Sequence, residues 1–261
     1  MAAFTGVDKP LIAMVHLPPL PGAANYDGRP VLEIARQAAG EARTLAEAGF
    51  HGVMLQNTHD RPARVRARAG TIAAMGAIAS TVRAATPIEL GINVHKNDAE
   101  AALAIALSCE ASFVRIKVLV GAVVGVEGVI EGVSEITLDI RREYASGVEI
   151  WADLYELTSW SLAGTTLENL ADLTSRFGMA DRLIVTDATV EDSVVAVERV
   201  RSATPVPVLI GGRTSAETIR AALEASDGVI VGTCLRQSGR TDMPLDPHAI
   251  KEFMLAARAP S

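Results

Sequence analysis

The sequence has few aromatic residues, few cysteines and no long uncharged hydrophobic run. Aromatic residues make up only 4% of the 261 positions, so aliphatic side chains must build most of the core. The two cysteines, Cys109 and Cys234, exclude a disulfide-rich scaffold, and we interpret both as small core residues in a reducing compartment. The apolar stretch 118–126 is too short to cross a bilayer, so we expect no membrane insertion. Residues 1–10 lack a secretory-leader pattern, which predicts a cytoplasmic protein.

Positive charge is also scarce, with 24 Lys and Arg against 31 Asp and Glu and a formal net charge of −7. Nucleic-acid binding usually needs a dominant basic surface, so we expect no nucleic-acid partner. A single phosphate group needs only a few donors, and a local anion site is therefore compatible with this acidity. Hydrophobic residues are plentiful at 49%, which is enough to build a large core in a chain of this length.

Eight apolar, β-branched runs alternate with eight longer amphipathic stretches. From the first run to the eighth is 218 residues over seven intervals, and a mean near 31 is the length of one strand–helix unit. This alternation predicts a single (β/α)8 TIM barrel over residues 1–261. The predicted strands cover residues 10–17, 52–57, 88–94, 113–119, 148–155, 182–187, 207–212 and 228–233. The predicted helices cover residues 32–48, 64–85, 98–109, 135–145, 167–177, 191–203, 215–225 and 247–257.

Alternation within the third, fourth and fifth predicted strands puts polar residues on one face of each strand. The outer face of a barrel strand packs on helices and must be apolar, so the polar faces point into one barrel lumen. Buried charges are costly unless they are paired, so we expect ion pairs among them. The inward charged residues are Glu89, Arg115, Lys117, Glu149 and Asp153.

Glycine-containing segments end the last two predicted strands, GGRTS at 211–215 and GT at 232–233. Phosphate-binding barrels place their anion site in these two loops, where glycine permits close approach of the backbone and a hydroxyl adds a donor. The alternative is that the glycines only permit tight turns. Arg213 or Arg236 could add a charged contact or could be a solvated surface residue. The predicted phosphate-binding residues are Gly211, Gly212, Gly232 and Thr233.

Lys117 is one of four lysines, and it faces inward near the end of its strand. It could form a Schiff base, act as a general acid or base, or hold an anion, whereas a structural ion pair is the alternative. Asp153 and Asp187 on adjacent strands could form a proton-transfer pair, with bonding to loop backbone as the alternative. The predicted catalytic residues are Lys117, Asp153, Asp187 and His16, and the predicted substrate-binding residues are Asn57, Asn93, Arg115, Tyr155 and Glu127.

Other polar residues at or after the predicted strand ends have structural roles or roles that the sequence leaves open. Asp98 is placed to cap the following helix. Glu127 lies in the glycine-rich segment 120–134, which could close over a substrate. No ligand spacing supports a metal site, so we predict no required cofactor, although a divalent ion held by His16, His95 and Asp153 stays open.

Several strings resemble the BtpA family of phosphate-binding-type TIM barrels, and the resemblance covers essentially the whole chain. They are PLIAMVHLPPLPG at 10–22, NVHKND at 93–98, FVRI at 113–116, AD at 152–153, IVT at 184–186 and DGVIVGT at 227–233. The resemblance implies the barrel fold and its phosphate end. It implies no single activity, because one cyanobacterial branch is linked to photosystem I biogenesis and other members look like sugar- or nucleoside-phosphate enzymes.

The chain departs from the family pattern at three strand ends, where catalytic groups sit in barrels. Lys117 stands where asparagine is common, Asp187 replaces a glycine, and LYELT at 154–158 stands where a Lys-His pair is common. These departures predict a shifted substrate or reaction within the family.

Two classes of function follow. The first is an enzyme acting on a phosphorylated sugar or nucleoside-phosphate-like molecule, as an isomerase, a lyase or a glycosidic-cleavage enzyme. The alternative is a non-catalytic assembly or stability factor. The polar lumen favours the enzyme, since a scaffold gains nothing from buried charge. A flavin protein that uses the same phosphate end is a further possibility. Because such barrels are commonly homo-oligomers, we also expect a homo-oligomer.

Overall fold

The computed structural model describes residues 4–162 and 164–259, and eight parallel strands of this part close into a barrel. The strands in the described residues are β1 (Leu11–His16), β2 (Gly52–Gln56), β3 (Glu89–Asn93), β4 (Phe113–Ile116), β5 (Ala122–Gly125), β6 (Gly128–Glu131), β7 (Glu149–Asp153), β8 (Ser159–Ser161), β9 (Arg182–Val185), β10 (Val208–Gly211) and β11 (Val229–Val231). Around the barrel they follow the order β1, β2, β3, β4, β7, β9, β10, β11 and back to β1. The predicted TIM barrel is confirmed.

Helices follow the barrel strands on the outside, and all but the last connect one barrel strand to the next. They are α1 (Val31–Ala48), α2 (Ala69–Ala85), α3 (Ala99–Ser108), α4 (Ser134–Glu143), α5 (Leu167–Arg176), α6 (Val190–Arg201), α7 (Ile219–Ala225) and α8 (Pro247–Arg258). Side chains cap several of their N-termini, and the predicted cap is confirmed because the Asp98 carboxylate accepts the Ala101 N–H at 3.1 Å. Across the described ranges, no helix combines the length and the apolar character needed to span a bilayer.

Two helices begin later than their sequence patterns predict. Residues 64–65 instead run beside the loop after β3, where Arg64 and Val65 accept backbone N–H groups from Lys96 and Asn97. Helix α7 begins at Ile219 because a turn bonded to the Thr218 hydroxyl precedes it.

The core has two layers, and strand parity assigns side chains to each. Outward-facing aliphatic residues pack under the helices, whereas a second cluster fills the barrel interior. Within the interior, Phe113 stacks on Trp151 with ring centroids 3.8 Å apart. The neighbouring strand accommodates the Phe113 ring because Gly91 has no side chain, and a Cβ there would lie 2.2 Å from the ring.

The five inward charges occupy opposite ends of the barrel, which corrects the expectation of one polar lumen. Glu149 begins β7 and pairs with Arg182 at 3.1 Å, and Glu89 begins β3 and accepts a bond from Ser112. Arg115, Lys117 and Asp153 lie beyond the aromatic layer, toward the carboxyl ends of the strands. The separation follows from register, because Glu149 is opposite Phe113 while Asp153 is four residues further along β7.

A three-stranded antiparallel sheet of β6, β5 and β8 is a feature that the sequence analysis did not predict. Its strands are only three or four residues long, too short for alternation to be distinguished from loop. The β5–β6 turn carries Glu127, whose carboxylate is 4.0 Å from the Lys96 ammonium. The segment predicted to close over a substrate is therefore an ordered hairpin held at the barrel mouth.

Candidate active site

A cavity of about 910 Å³ lies at the carboxyl ends of the barrel strands, and we call it the mouth cavity. The glycine loops after β10 and β11 form one wall, while charged residues from β4 and from the loops after β3 and β7 form the opposite wall. Its polar and glycine lining includes His16, His95, Lys96, Arg115, Lys117, Glu127, Glu156, Gly211, Gly212, Arg213, Gly232 and Thr233. All four predicted phosphate-binding residues thus line the same space as Lys117.

The glycines of this wall serve close packing and backbone conformation. A Cβ at Gly232 would lie 2.6 Å from the His16 ring, and one at Gly211 would lie 2.5 Å from Ile184. Gly212 has a φ of 103°, which favours glycine. Its N–H already donates to the Ile230 carbonyl at 2.8 Å, so this N–H is engaged within the loop.

Arg115, Lys117 and Asp153 form a buried ion cluster on the charged wall. The Arg115 guanidinium binds both Asp153 oxygens, through Nε at 2.8 Å and Nη2 at 2.6 Å. The Lys117 ammonium is 3.6 Å from Asp153 Oδ1. Arg115 binds both oxygens of Asp153, and the Asp153 side chain has no exposed area. Asp153 therefore balances the charge of Arg115 and Lys117 and holds them in position.

Glu156 and Lys96 complete this wall, and sequence reasoning missed both. Glu156 Oε2 is 3.1 Å from Lys117 Nζ, and Oε1 contacts the Lys96 ammonium. Lys96 also donates to the Thr158 hydroxyl at 2.8 Å. Glu156 lies inside the stretch 154–158 that departs from the family pattern, and that departure was the available signal.

The surroundings of the Lys117–Glu156 pair lower the pKa of both groups. Burial and the neighbouring Arg115 charge lower the pKa of Lys117, although Asp153 and Glu156 oppose them. Burial alone would raise the pKa of Glu156, but the Lys117 and Lys96 ammonium groups lower it below its ordinary value. The pair therefore consists of an ionised carboxylate beside an ammonium that gives up its proton more readily than a free lysine.

Two asparagines predicted to bind substrate instead hold backbone. Asn57 accepts the His95 N–H at 2.7 Å and donates to Asp60 at 2.9 Å. The Asn93 amide donates to the Arg115 carbonyl at 2.8 Å. Neither lines the mouth cavity, because each is buried behind the strand end that it supports. Asn97 has a similar role, since its amide exchanges two hydrogen bonds of 2.9 Å with the Val118 backbone next to Lys117.

A second cavity of about 800 Å³, the side cavity, lies between the loop after β7 and helices α5 and α6. The Tyr155 hydroxyl donates to Asp187 Oδ2 there at 2.5 Å, and burial together with this bond raises the pKa of Tyr155. Asp187 also binds the Ala188 N–H at 2.7 Å. Its carboxylate is thus joined to Tyr155 and loop backbone, whereas the Asp153 carboxylate is joined to Arg115. Lys117 and Glu156 line both cavities.

His16 stands at the end of β1, as its strand face predicts, and lines the mouth cavity opposite His95 and Lys117. Burial, with the charges of Arg236 and His59, lowers the pKa of His16 to about 3. Burial also lowers the pKa of His95 well below its ordinary value. Both imidazoles are therefore neutral at pH 7.

Folding stability should depend on pH through His16. Its pKa falls from 6.5 in the unfolded chain to about 3 in the fold, so below pH 6.5 only the unfolded state binds the proton. Between pH 7 and 5 the wild type should therefore lose about 2 kcal/mol more unfolding free energy than His16→Gln. Urea titrations at both pH values measure this, and His248→Gln, at an exposed position, should behave as the wild type does. Parallel losses in wild type and His16→Gln would contradict a neutral buried His16.

No cluster of three or more His, Cys, Asp or Glu in the described residues is arranged to hold a metal ion. His16, His95 and Asp153 therefore do not form the ligand set left open by the sequence. The carboxylate of Asp153 is instead used by Arg115.

Comparisons with known proteins agree with the fold and with the sequence strings. An uncharacterised protein of Pyrococcus horikoshii is 35% identical over 236 residues, 90% of each chain. The photosystem I biogenesis protein BtpA of Synechocystis is 33% identical over 255 residues, 95% of this chain and 88% of that protein. Orotidine 5'-phosphate decarboxylase from Pyrococcus horikoshii is similar in fold, with a TM-score of 0.59 at 13% identity over 96% of this chain and all of that one. The model of the BtpA family matches residues 7–259, and the chain belongs to that family.

Proposed function

We propose that this protein is an enzyme that binds a phosphorylated sugar or a nucleoside-phosphate-like molecule in the mouth cavity. One observation carries the proposal: the glycine loops after β10 and β11 and the buried Lys117–Glu156 pair line the same cavity from opposite walls. TIM-barrel enzymes characteristically bind substrate at this end, with phosphate at the last two loops. The barrel is also the fold of a phosphate-substrate enzyme, orotidine 5'-phosphate decarboxylase.

The anion would bind at the rim formed by Arg213, Gly232 and Thr233. Arg213 adds a guanidinium, and Thr233 adds an exposed hydroxyl at the start of a 3-10 turn. Gly211 and Gly232 let the two loops pack tightly against Ile184 and the His16 ring, while Gly212 sets the loop conformation. This arrangement supports binding of one phosphate group in an otherwise acidic protein.

The chemistry proposed is proton transfer by Lys117, with Glu156 as its ion-pair partner. The ammonium, whose pKa is lowered, can donate a proton to a leaving or carbonyl oxygen, and the neutral amine left behind can accept a proton from the substrate. Glu156 stays ionised because the Lys117 and Lys96 ammonium groups lower its pKa, so it holds Lys117 in place and does not carry the proton. Asp153 and Arg115 hold the lysine in place and balance its charge. Neutral His16 and His95 offer further hydrogen bonds to substrate hydroxyl groups. Isomerisation, elimination and glycosidic cleavage all use such transfers.

Ligand-induced stabilisation tests this proposal. We expect ribose 5-phosphate or a nucleoside 5'-monophosphate to raise the melting temperature, equivalent to about 2.7 kcal/mol at one hundred times Kd. Ribose and the free nucleoside should leave the melting temperature unchanged. Arg213→Met should weaken phosphate-dependent binding about tenfold, because a charge-assisted hydrogen bond is lost. If none of the phosphorylated compounds stabilised the protein, the proposal would be wrong.

A second candidate function is a non-catalytic role in assembling or stabilising a protein complex. It is favoured by the 33% identity to the photosystem I biogenesis protein BtpA of Synechocystis. This role predicts a protein partner and full function after Lys117→Ala or Asp153→Asn in a folded protein. An enzyme predicts loss of function in both.

A further inference from the structure

A third cavity, of about 410 Å³, lies beside the mouth cavity under the loops after β1 and β2 and the segment after β11. We call it the basic cavity because five of its twelve lining residues are arginine or histidine, whereas only one is acidic. They are the arginines Arg29, Arg61 and Arg236 and the imidazoles of His16 and His59. This clustering is unexpected in a chain with a net charge of −7, and it is independent of the glycine loops.

The acidic groups near the basic cavity are already engaged. Asp242, the carboxylate in its lining, is bound by Arg240 at 2.6 and 3.0 Å. Glu41 is bound by Arg236 at 2.6 Å. Asp60 lines a different cavity and accepts bonds from Leu20 N and the Asn57 amide.

Two arginines of the basic cavity have no buried carboxylate within ion-pair distance among the described residues, although Arg61 is near enough to Asp60 to oppose the rise that burial causes in the pKa of that carboxyl. Arg61 forms no ion pair with any carboxylate in the described part of the chain, and its Nη1 donates to the Thr58 and Asp60 carbonyls at 2.9 and 2.8 Å. Arg29 lies 3.9 Å from Asp27, a carboxylate that is 59% exposed and therefore well screened. The guanidinium of Arg61 is thus anchored through one nitrogen and leaves the others available.

Buried nitrogen atoms in the same cluster also lack partners. His16 Nδ1, His59 Nε2 and Arg236 Nε form no hydrogen bond within residues 4–162 and 164–259. Arg236 is only 4% exposed, so its polar atoms cannot be satisfied from bulk solvent. A cluster that combines guanidinium groups, imidazoles and buried unbonded nitrogens is the chemical complement of an oxyanion.

We propose that the basic cavity is a second anion-binding site, which takes a phosphate or carboxylate group distinct from the one bound at the glycine loops. Because His16 and Arg61 line both the basic and the mouth cavities, the two sites are adjacent. The oxyanion is either the far end of a substrate that carries two anionic groups or a separate small effector. The site does not depend on the chemistry proposed for Lys117.

Titration of 15N-histidine-labelled protein with inorganic phosphate tests the site directly. The His59 imidazole is the probe, since His59 lines the basic cavity and not the mouth cavity. We expect a saturable shift of its resonances, and Arg29→Met with Arg61→Met should raise the phosphate Kd for this response at least tenfold. Arg213→Met should leave the response unchanged. Arg142→Met, at an exposed position on α4, is the matched control.

Absence of a His59 response in folded wild type, or a response lost in Arg213→Met but retained in the double variant, would overturn the proposal. Arg29→Met alone should also weaken the response, which keeps the test valid if the double variant unfolds. A sugar bisphosphate distinguishes the two sources of the anion. One binding event weakened by both Arg29→Met and Arg213→Met indicates a two-ended substrate, whereas two independent events indicate an effector.

Discussion

Replacing Asp153 with alanine is expected to lower the free energy of unfolding by about 3–5 kcal/mol, because the change leaves buried positive charge uncompensated. The Asp153 side chain has no exposed area, and it binds the Arg115 guanidinium with both oxygens. Lys117 would lose one of its two carboxylate neighbours as well. Urea unfolding at pH 7 measures the effect.

The matched control is Asp139→Ala, which removes an exposed aspartate whose ion pair with Arg142 spans 4.0 Å. Its effect should stay within about 0.5 kcal/mol, since exposed ion pairs contribute little. The double change Arg115→Leu with Asp153→Leu should be less destabilising than Asp153→Ala alone, because no unpaired arginine remains. A loss below about 1 kcal/mol for Asp153→Ala would show that solvent reaches this cluster.

Lys117→Met is expected to reduce turnover about 10²–10⁴-fold, the usual contribution of a positioned acid or base. The reaction to follow is that of whichever phosphorylated compound stabilises the protein most. The Kd for that compound should change little, because the proposed phosphate site lies at the opposite wall of the cavity. A comparison of turnover with ligand-induced melting shifts separates the two effects.

Lys251→Met is the control, since Lys251 is an exposed lysine on α8 that does not line the mouth cavity. It should retain wild-type turnover. Unchanged turnover in folded Lys117→Met would contradict proton transfer by Lys117. Wild-type biological function of that variant without any turnover would favour the assembly role.

Strand residues were the predictable part of the candidate site. Alternation alone predicts that Arg115, Lys117 and Asp153 face inward from neighbouring strands, and the structure places them within one ion cluster. This works because side-chain direction in a strand follows from position in the chain. The same reasoning could not separate Glu89 and Glu149 from that cluster, because depth along the barrel depends on the register between strands.

Loop residues were the unpredictable part. Their ion-pair partners are remote in sequence. Lys96 is 60 residues from Glu156 and 31 from Glu127, and Arg236 is 195 residues from Glu41. No local period describes such positions, since a loop side chain is directed by the conformation of its loop. Asn57 and Asn93 hydrogen-bond to neighbouring backbone, a role that polar residues at strand ends can fill and that alternation does not distinguish from substrate binding.

The sequence by itself determined the barrel, the family and the inward direction of the strand residues, since each depends on periodicity or on contiguous strings. Tertiary structure decided which charges meet. It paired Lys117 with Glu156, bound Asp153 to Arg115, and paired Arg236, which lines the basic cavity, with Glu41. The physical reason is that ion pairing depends on distances of a few ångströms between segments remote in sequence. Those distances are set by how the loops close over the end of the barrel.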